Sequence, residues 1–451
     1  MRKNLCYILK VIFILLVSLN VSVLHAQKVD LVKYVNTLQG TNSRFELTRG
    51  NTYPTTALPF AMHTWTPQTG VNGDGWKYQY EKDSIRGFQQ AHQCSSWTND
   101  YAVFSLMPVV GKLVVDQFGR AAKFSHRNEI AKPHYYKVLL DNGITTEISP
   151  VERGAHLRFS FPKKKNAYII LDGYTGMSGV KIYPKEGKIT GYVHNGRGLK
   201  ENFKNFFIIR FNKPIRDYGT WENTTNTTWQ AESEREGKGV GAWVQFDSGV
   251  NVEVKVASSY ISPEQADLNL KNELGDFSTL EETKQAAWKI WNDQLHQIFV
   301  EGGTEEEKAT FYSCYFRANL FPRKFYELDK EGNPYYFSPY DGKIHYGYMY
   351  TDTGFWDTFR ALFPFLNLVY PSVNVEMQEG LVNAYKESGF LPEWASPGHR
   401  GVMIGNNSAS VVADAYLKGL RGYDIETLYE AMLHGTENVH PKVSASGRYG
   451  H

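Results

Sequence analysis

The hydrophobic period of this 451-residue chain changes near Ser262, from two before it to about 3.6 after it. A period of two sends successive side chains to opposite faces of a strand. A period of 3.6 gathers every third or fourth side chain on one helix face. Neither pattern buries its apolar residues in the other conformation, so the chain should hold a β part followed by an α part. Before the switch, short apolar runs recur at Leu157–Phe161, Tyr168–Leu171 and Phe206–Ile209, with turn residues between them. Two hairpins are predicted. Tyr135–Leu140 and Ile144–Ile148 flank Asp141-Asn142-Gly143, and Asn-Gly, which tolerates positive φ at both turn centres, suits a type I′ turn. Ala242–Phe246 and Val250–Val256 flank Asp247-Ser248-Gly249. Many short strands at regular spacing argue for a β-sandwich over residues 27–262. The Asn-x-Thr sites at Asn223 and Asn226 mark an exposed loop.

After the switch, Ser278-Thr279-Leu280-Glu281 reads as a capping box, and Leu280, Ala287, Trp288, Trp291, Leu295 and Ile298 share one face. These residues belong to a linker helix region over 263–300. Thr304-Glu305-Glu306-Glu307 repeats the box before Phe311, Tyr315 and Leu320. Further helices are predicted at 354–369, 372–388, 408–420 and 425–434, with Gly389 and Gly435 just past helix ends. Consecutive helices with short connections predict α-hairpins across 301–451. The last residues, Ser446–His451, read as the middle of a loop rather than an end.

Residues 1–26 are set apart from the fold. Arg2, Lys3 and Lys10 precede or enter an apolar stretch from Val11 to Leu24, and Ala26 then precedes Gln27. That is a signal-peptide pattern, too short for a spanning helix, and it predicts export to a periplasmic or extracellular space. Cys6 lies before the apolar stretch, which does not suit a lipid-anchoring role. Cleavage removes three of the 49 basic residues and none of the 47 acidic ones, so the mature chain is close to neutral. Such a balance carries no electrostatic footprint for nucleic acid. Cys94 and Cys314 would remain, either as one disulfide, which export permits, or as two free thiols.

Nucleophile-elbow, Walker-type and H-E-x-x-H signatures are absent from the sequence. Three segments concentrate polar and aromatic groups instead. Arg86–Tyr101 packs His92, Trp97, Asn99, Asp100 and Tyr101 into a stretch with weak strand or helix preference, as in a loop that lines a site or holds one together. Tyr350–Arg360 leads into a helix, where Asp352 or Thr353 could serve as the N-cap. Asp357 sits there beside Trp356, three residues before Arg360. It either forms a helix pair with Arg360 or accepts sugar hydroxyls while an indole stacks on the ring. Gly389–Trp394 repeats the carboxylate-plus-indole combination with Glu393 and Trp394. Aromatics make up 14% of the chain, which fits either sugar stacking or aromatic-rich β-structure.

The same segments resemble glycoside hydrolase family 92. The resemblance rests on Gly50–Pro54, Ala57–Phe60, Trp65–Gly70, Gly75-Trp76, Ile85–Phe88, His92–Tyr101, Tyr350–Asp352, Phe355–Leu362, Gly389–Trp394, Met403–Asn406, Ala413–Tyr416 and Lys418-Gly419. It runs from about Val32 to the end of the sequence. It implies a β-sandwich packed on an (α/α)6 helical toroid, the last 151 positions, 301–451, being its first part. It also implies a calcium-assisted α-mannosidase that releases terminal mannose from α-mannosides and N-glycans with inversion. There a Glu acts as general acid and an Asp as general base. The family's E-G-N-x-W and G-N-D type segments have no match here, so the acid, the base and most calcium ligands are expected beyond residue 451. What carries over is a sugar-contacting wall: Trp97, Asp100, Trp356, Asp357 and Trp394. Glu393 and Asn407 depart from the family's usual residues, which leaves the linkage open. The alternatives are a non-catalytic glycan-binding fragment, a fragment without function, and another sandwich-plus-toroid glycosidase of the trehalase or phosphorylase kind.

Overall fold

The computed structural model describes residues 28–163 and 165–440. The signal-peptide reading of 1–26 and the chain end lie outside the described residues. Among the described residues, two antiparallel sheets dominate the first part. One runs edge to edge through Thr64–Gln68, Gly87–Ala91, Ser105–Val110, Ala167–Asp172, Val240–Phe246, Asp217–Glu222 and Thr227–Gln230. The other runs through Glu234–Lys238, Met177–Tyr183, Lys188–His194, Asn205–Phe211, Asn251–Ser259, Gly154–Ser160, Thr145–Pro150, Tyr135–Leu140, Ala122–Lys132 and Ser84–Ile85.

Burial follows the pleat. In Asn251–Ser259, Val252, Val254 and Val256 are fully buried while Glu253 and Lys255 are half-buried on the other face. Ala167–Asp172 is buried throughout, because it is a central strand with cover on both faces. Aromatic rings cross between the sheets: Phe104 lies 4.8 Å from Phe207, Phe211 lies 5.3 Å from Phe246, and Phe88 lies 6.3 Å from Phe159. This is face-to-face packing around a core dominated by side chains of both inner faces.

One predicted hairpin is present with a different turn, and the other is absent. Tyr135–Leu140 and Thr145–Pro150 do pair, but only Gly143 has a positive φ, at 92°. The Gly143 N–H donates to the Leu140 carbonyl at 2.9 Å, and the pair closes through a three-residue turn with glycine in the left-handed position. The second pair of runs is not a hairpin. Val240–Phe246 pairs with Asp217–Glu222 and Ala167–Asp172, whereas Asn251–Ser259 pairs in the other sheet. Asp247–Val250 therefore carries the chain across the sandwich. A turn sequence between two apolar runs cannot say which sheet each run joins. Asn223 and Asn226 do fall in the turn between Asp217–Glu222 and Thr227–Gln230.

Helix α1 (Pro263–Leu274) starts at Ser262, whose side chain accepts from the Gln265 N–H. It lays Ala266, Leu270 and Leu274 against Val151, Ile208 and Ala257 of the sandwich. Helix α2 (Leu280–Leu295) begins one residue later than predicted, with Thr279 and Glu282 as the reciprocal capping pair. Its Trp291 is fully buried and donates to the Ala57 carbonyl at 2.6 Å. Helix α3 (Glu305–Ala318) is capped by Thr304 and Glu307 as read from the sequence.

A β-rich insertion then follows that the helical reading missed. Arg323–Lys324 pairs with Tyr350–Thr351, and Glu327–Leu328, Pro334–Phe337 and Ile344–Tyr346 form a small sheet. The helix predicted over 354–369 is two helices, α4 (Phe355–Thr358) and α5 (Leu362–Val369), because Ala361 leaves helical geometry at φ −132°. Helix α6 (Pro371–Ser388) ends at Gly389 in the left-handed conformation, as expected. Helices α7 (Asn407–Leu417) and α8 (Ile425–Glu437) follow. Gly435 lies inside α8 rather than beyond it, with Asn438 as the C-cap. Cys94 and Cys314 are both free thiols.

Candidate functional site

A cleft of about 680 Å³ opens between the sandwich loops and the helical segment. Asn51, Cys94 and Trp97 line one side, and Asp357, Trp394 and Met403 the other. Each wall has a local reason.

The sandwich wall is the loop that follows strand Gly87–Ala91. It turns through Ser96–Thr98 and then Asn99, whose φ of 59° is one that Asn tolerates better than most residues. The loop packs so closely on Gly75 that a Cβ there would lie 2.1 Å from the Ser96 carbonyl oxygen. Trp97 stands at the rim, 58% exposed, with its ring 5.0 Å from Trp76 and 5.4 Å from Phe45. Trp76 is fixed in turn by its indole N–H, which donates to Asn51 Oδ1 at 3.1 Å. The rim is thus a braced aromatic group. Phe45, itself 64% exposed, was not singled out from the sequence because it stands alone in a polar stretch.

The helical wall is built by a two-residue ladder that sets Gly354 opposite Trp394 and Thr353 opposite Ala395. Gly354 must be small: a Cβ there would meet Trp394 Nε1 at 2.3 Å and Asp357 Oδ2 at 2.7 Å. The indole N–H and the carboxylate therefore converge on one spot. Trp394 is 5% exposed, and its Nε1 leans on the Asp357 carboxylate without a well-formed hydrogen bond. A buried donor without a well-formed bond costs free energy unless a ligand or water satisfies it. Partial burial raises the Asp357 carboxyl above its usual range, against the pull of the nearby indole and Arg360.

The other sequence-named positions lie elsewhere. Asp100 is buried behind the loop, where Oδ2 pairs with Lys77 Nζ at 2.8 Å and its oxygens accept from the N–H groups of His92 and Tyr101. Burial works against its ionisation, but Lys77 and His92 hold the carboxyl well below its usual range. Trp356 faces away from the cleft, with the Arg360 guanidinium stacked 4.2 Å from its ring. Arg360 also donates to the Trp356 carbonyl and acts on Asp357 only through its charge. Glu393 is buried at the start of α7, where it accepts from the Asn407 N–H at 2.8 Å and from Ser408 Oγ at 2.6 Å.

Beneath the cleft lies a buried polar clamp that the sequence did not reveal. Asp352 pairs with Arg323, and both are fully buried. Tyr101 donates to Asp352 Oδ2 at 2.9 Å, and Arg323 donates to the Tyr101 hydroxyl at 2.8 Å and to the Met62 carbonyl. Burial lifts the Asp352 carboxyl, and Arg323 opposes that lift. Asp352 is no N-cap: its φ is 59°, and Gly354 occupies the N-cap position of α4. The clamp joins the sandwich loop to the helical wall. Next to it, His92 Nδ1 contacts the Tyr101 carbonyl at 2.8 Å and its Nε2 contacts His63 Nδ1 at 2.8 Å, with both rings fully buried.

Comparison with known proteins bears on this cleft. Residues 34–259 match the glycosyl hydrolase family 92 N-terminal domain, and residues 265–450 match the glycosyl hydrolase family 92 catalytic domain. An inverting mannosidase of family GH92 from Bacteroides thetaiotaomicron VPI-5482 is 45% identical, with a TM-score of 0.91 over 94% of this chain and 57% of that one. A family GH92 α-mannosidase from Bacteroides thetaiotaomicron, solved with mannoimidazole, is 27% identical, with a TM-score of 0.82 over 91% of this chain and 56% of that one. An uncharacterized secreted glycosidase of Arthroderma benhamiae is 23% identical over 93% of this chain and 54% of its own length. The chain thus spans little more than half the length of the relatives it matches.

Proposed function

The chain belongs to glycosyl hydrolase family 92, and from that premise we propose that it forms the sandwich and the first helices of an α-mannosidase that releases terminal mannose with inversion. The observation that carries this reading is the convergence of the Asp357 carboxylate and the buried Trp394 N–H beside Gly354, in a cleft that Trp97 flanks. Asp357 would accept two sugar hydroxyls, Trp394 Nε1 would donate to a third, and Trp97 would offer its face to the C–H side of the ring. The (α/α)6 toroid is part of the proposal, with α3 to α8 as its beginning.

Inversion needs a general acid and a general base about 6.5–9.5 Å apart, on opposite sides of the scissile bond. We assign neither role to the described residues. Asp352 cannot move a proton to substrate while Arg323 and Tyr101 hold it, so its role is to position the wall. Family membership also implies calcium, which takes six to eight oxygen ligands. Among the described residues the cleft lining offers Asp352 and Asp357 as carboxylates, which is not such a set. Export is proposed on the Arg2-to-Ala26 pattern. None of the helices among the described residues is long and apolar enough to cross a membrane.

Titration calorimetry of the chain with methyl α-mannoside and mannoimidazole tests the wall. Asp357→Asn should weaken binding about tenfold or more, as loss of a charge-assisted hydrogen bond of about 1.5–3 kcal/mol requires. Asp100→Asn should leave affinity unchanged in protein that still folds. A cooperatively folded chain that binds neither ligand would sink the assignment.

A further inference from the structure

Away from the cleft, Asp341, His345 and Glu387 bring one ligand atom each to within 4.8 Å of one another. Asp341 and His345 come from the turn and strand of the small sheet, and Glu387 from the last turn of α6. None of the three lines the cleft. We propose that they form a binding site for a zinc-class divalent ion, which clips the 338–345 turn to the end of α6.

Three observations support the site. The first is spacing. Ligand atoms about 2.0–2.1 Å from a tetrahedral ion lie about 3.3 Å apart. His345 Nε2 and Asp341 Oδ2 are already 2.9 Å apart, so a side-chain adjustment of about 1.5 Å closes the set. The second is support from neighbours. Asp341 Oδ1 accepts from the Lys343 N–H at 2.9 Å. Glu387 accepts from Ser338 Oγ at 2.5 Å and from the Tyr336 hydroxyl. Ser338 Oγ in turn accepts from the N–H groups of Tyr340 and Asp341. These bonds aim both carboxylates before any ion arrives, as outer-shell partners do in metal sites. The third is charge. Among the described residues neither carboxylate has a Lys or Arg partner, and His345 is the sole basic group paired with Asp341.

The donor set selects the metal. One imidazole and two carboxylates suit zinc, with open positions on the half-exposed side for water. They do not suit calcium, which takes more ligands, all of them oxygen. The clip would sit two residues before Gly389, where the chain sets out towards Trp394.

The test uses the full chain, stripped with chelator, with ZnCl2 as the probe. Calorimetry should show one zinc per chain, and millimolar calcium should not displace it. Asp341→Asn, His345→Gln and Glu387→Gln should each weaken binding at least tenfold while circular dichroism stays native. Cobalt should give the intense visible band of a low-symmetry four-coordinate site in the unmodified chain and lose it in His345→Gln. Absence of stoichiometric zinc binding overturns the proposal. So does binding that all three variants retain, which would place the ion elsewhere.

Discussion

The sandwich and the helical part keep their shape in different ways. The sandwich is held by long antiparallel ladders, and its inner faces are sealed by rings from both sheets. The helical part is made of elements between 4 and 18 residues long, interleaved with irregular chain and two-residue strands. Leu368 at the end of α5 and Leu417 at the end of α7 are each 81% exposed. Their buried titratable groups differ as well. Burial lowers His63, His134 and His156 in the sandwich, whereas it lifts the carboxyls of Asp352 and Glu327 at the joint. The cleft joins a wall held by long ladders to one held by short segments, and one apolar core runs beneath both. Arg323–Asp352–Tyr101 is the fully buried ion-pair tie between them, beside others such as Arg400, which donates to the Thr98 carbonyl at 2.9 Å.

Cutting that tie should have the largest effect. Asp352→Asn preserves the left-handed backbone, which Asn tolerates, but leaves Arg323 buried without its counter-charge. Removing one partner of a buried ion pair costs about 3–5 kcal/mol, and urea unfolding should show a loss of that size. Asp352→Ala should lose more, because alanine also strains at that φ. If Asp352→Asn costs less than 1 kcal/mol, on the order of a surface pair, the two walls are not tied there.

A change of pH should separate the two regions. Burial holds His134 and His156 down to about 4, and burial together with His92 holds His63 well below its usual range. A depressed histidine contributes stability that is full above about 6.5 and is lost as pH falls towards about 4. His134 and His156 should each account for a loss of about 2–3 kcal/mol by pH 4.5. Glu327 behaves oppositely. Burial pushes its carboxyl up to about 7, although Asn269 and Ser259 donate to it. Its contribution is full below about 4.5 and is lost as pH rises through 7. Protection factors from hydrogen exchange, corrected for the intrinsic pH dependence, should therefore fall in Gly154–Ser160 between pH 7.5 and pH 5.0, with no such fall around Glu327. An equal fall in both would erase the contrast.

The smallest effect sharpens the comparison locally. Thr279→Ala and Thr304→Ala each remove a capping box worth about 1 kcal/mol. Helix α2 packs on the sandwich through Trp291, so its cap should matter to the main thermal transition. The α3 cap should matter more to local exchange in Glu305–Ala318. Two indistinguishable melting curves would argue that the regions unfold as one.

Much of this was legible in the residues. The period change at Ser262 marks where strands give way to α1, and Thr304, Glu307 and Gly389 announce helix ends because their chemistry acts within one turn. The motif series gave Trp97, Asp100, Trp356, Asp357 and Trp394 as one wall, and three of the five, Trp97, Asp357 and Trp394, line the same cleft. The failures share a cause. The Asp247–Val250 crossing, the 319–354 insertion and the break at Ala361 depend on which distant segment a stretch packs against. Arg323 gave no local signal at all, since its partners Asp352 and Tyr101 lie 29 and 222 residues away.

The sequence by itself determined that a β part precedes a helical part, the caps at Thr304 and Gly389, and the family, because side-chain period, turn chemistry and motif order are local properties of the chain. Only the tertiary structure decided that Asp100 and Trp356 leave the cleft while Trp394 and Asp357 meet at Gly354. Convergence of side chains is a long-range property. It is set by ladder register and by the space a missing Cβ leaves, and neither is encoded at any single position.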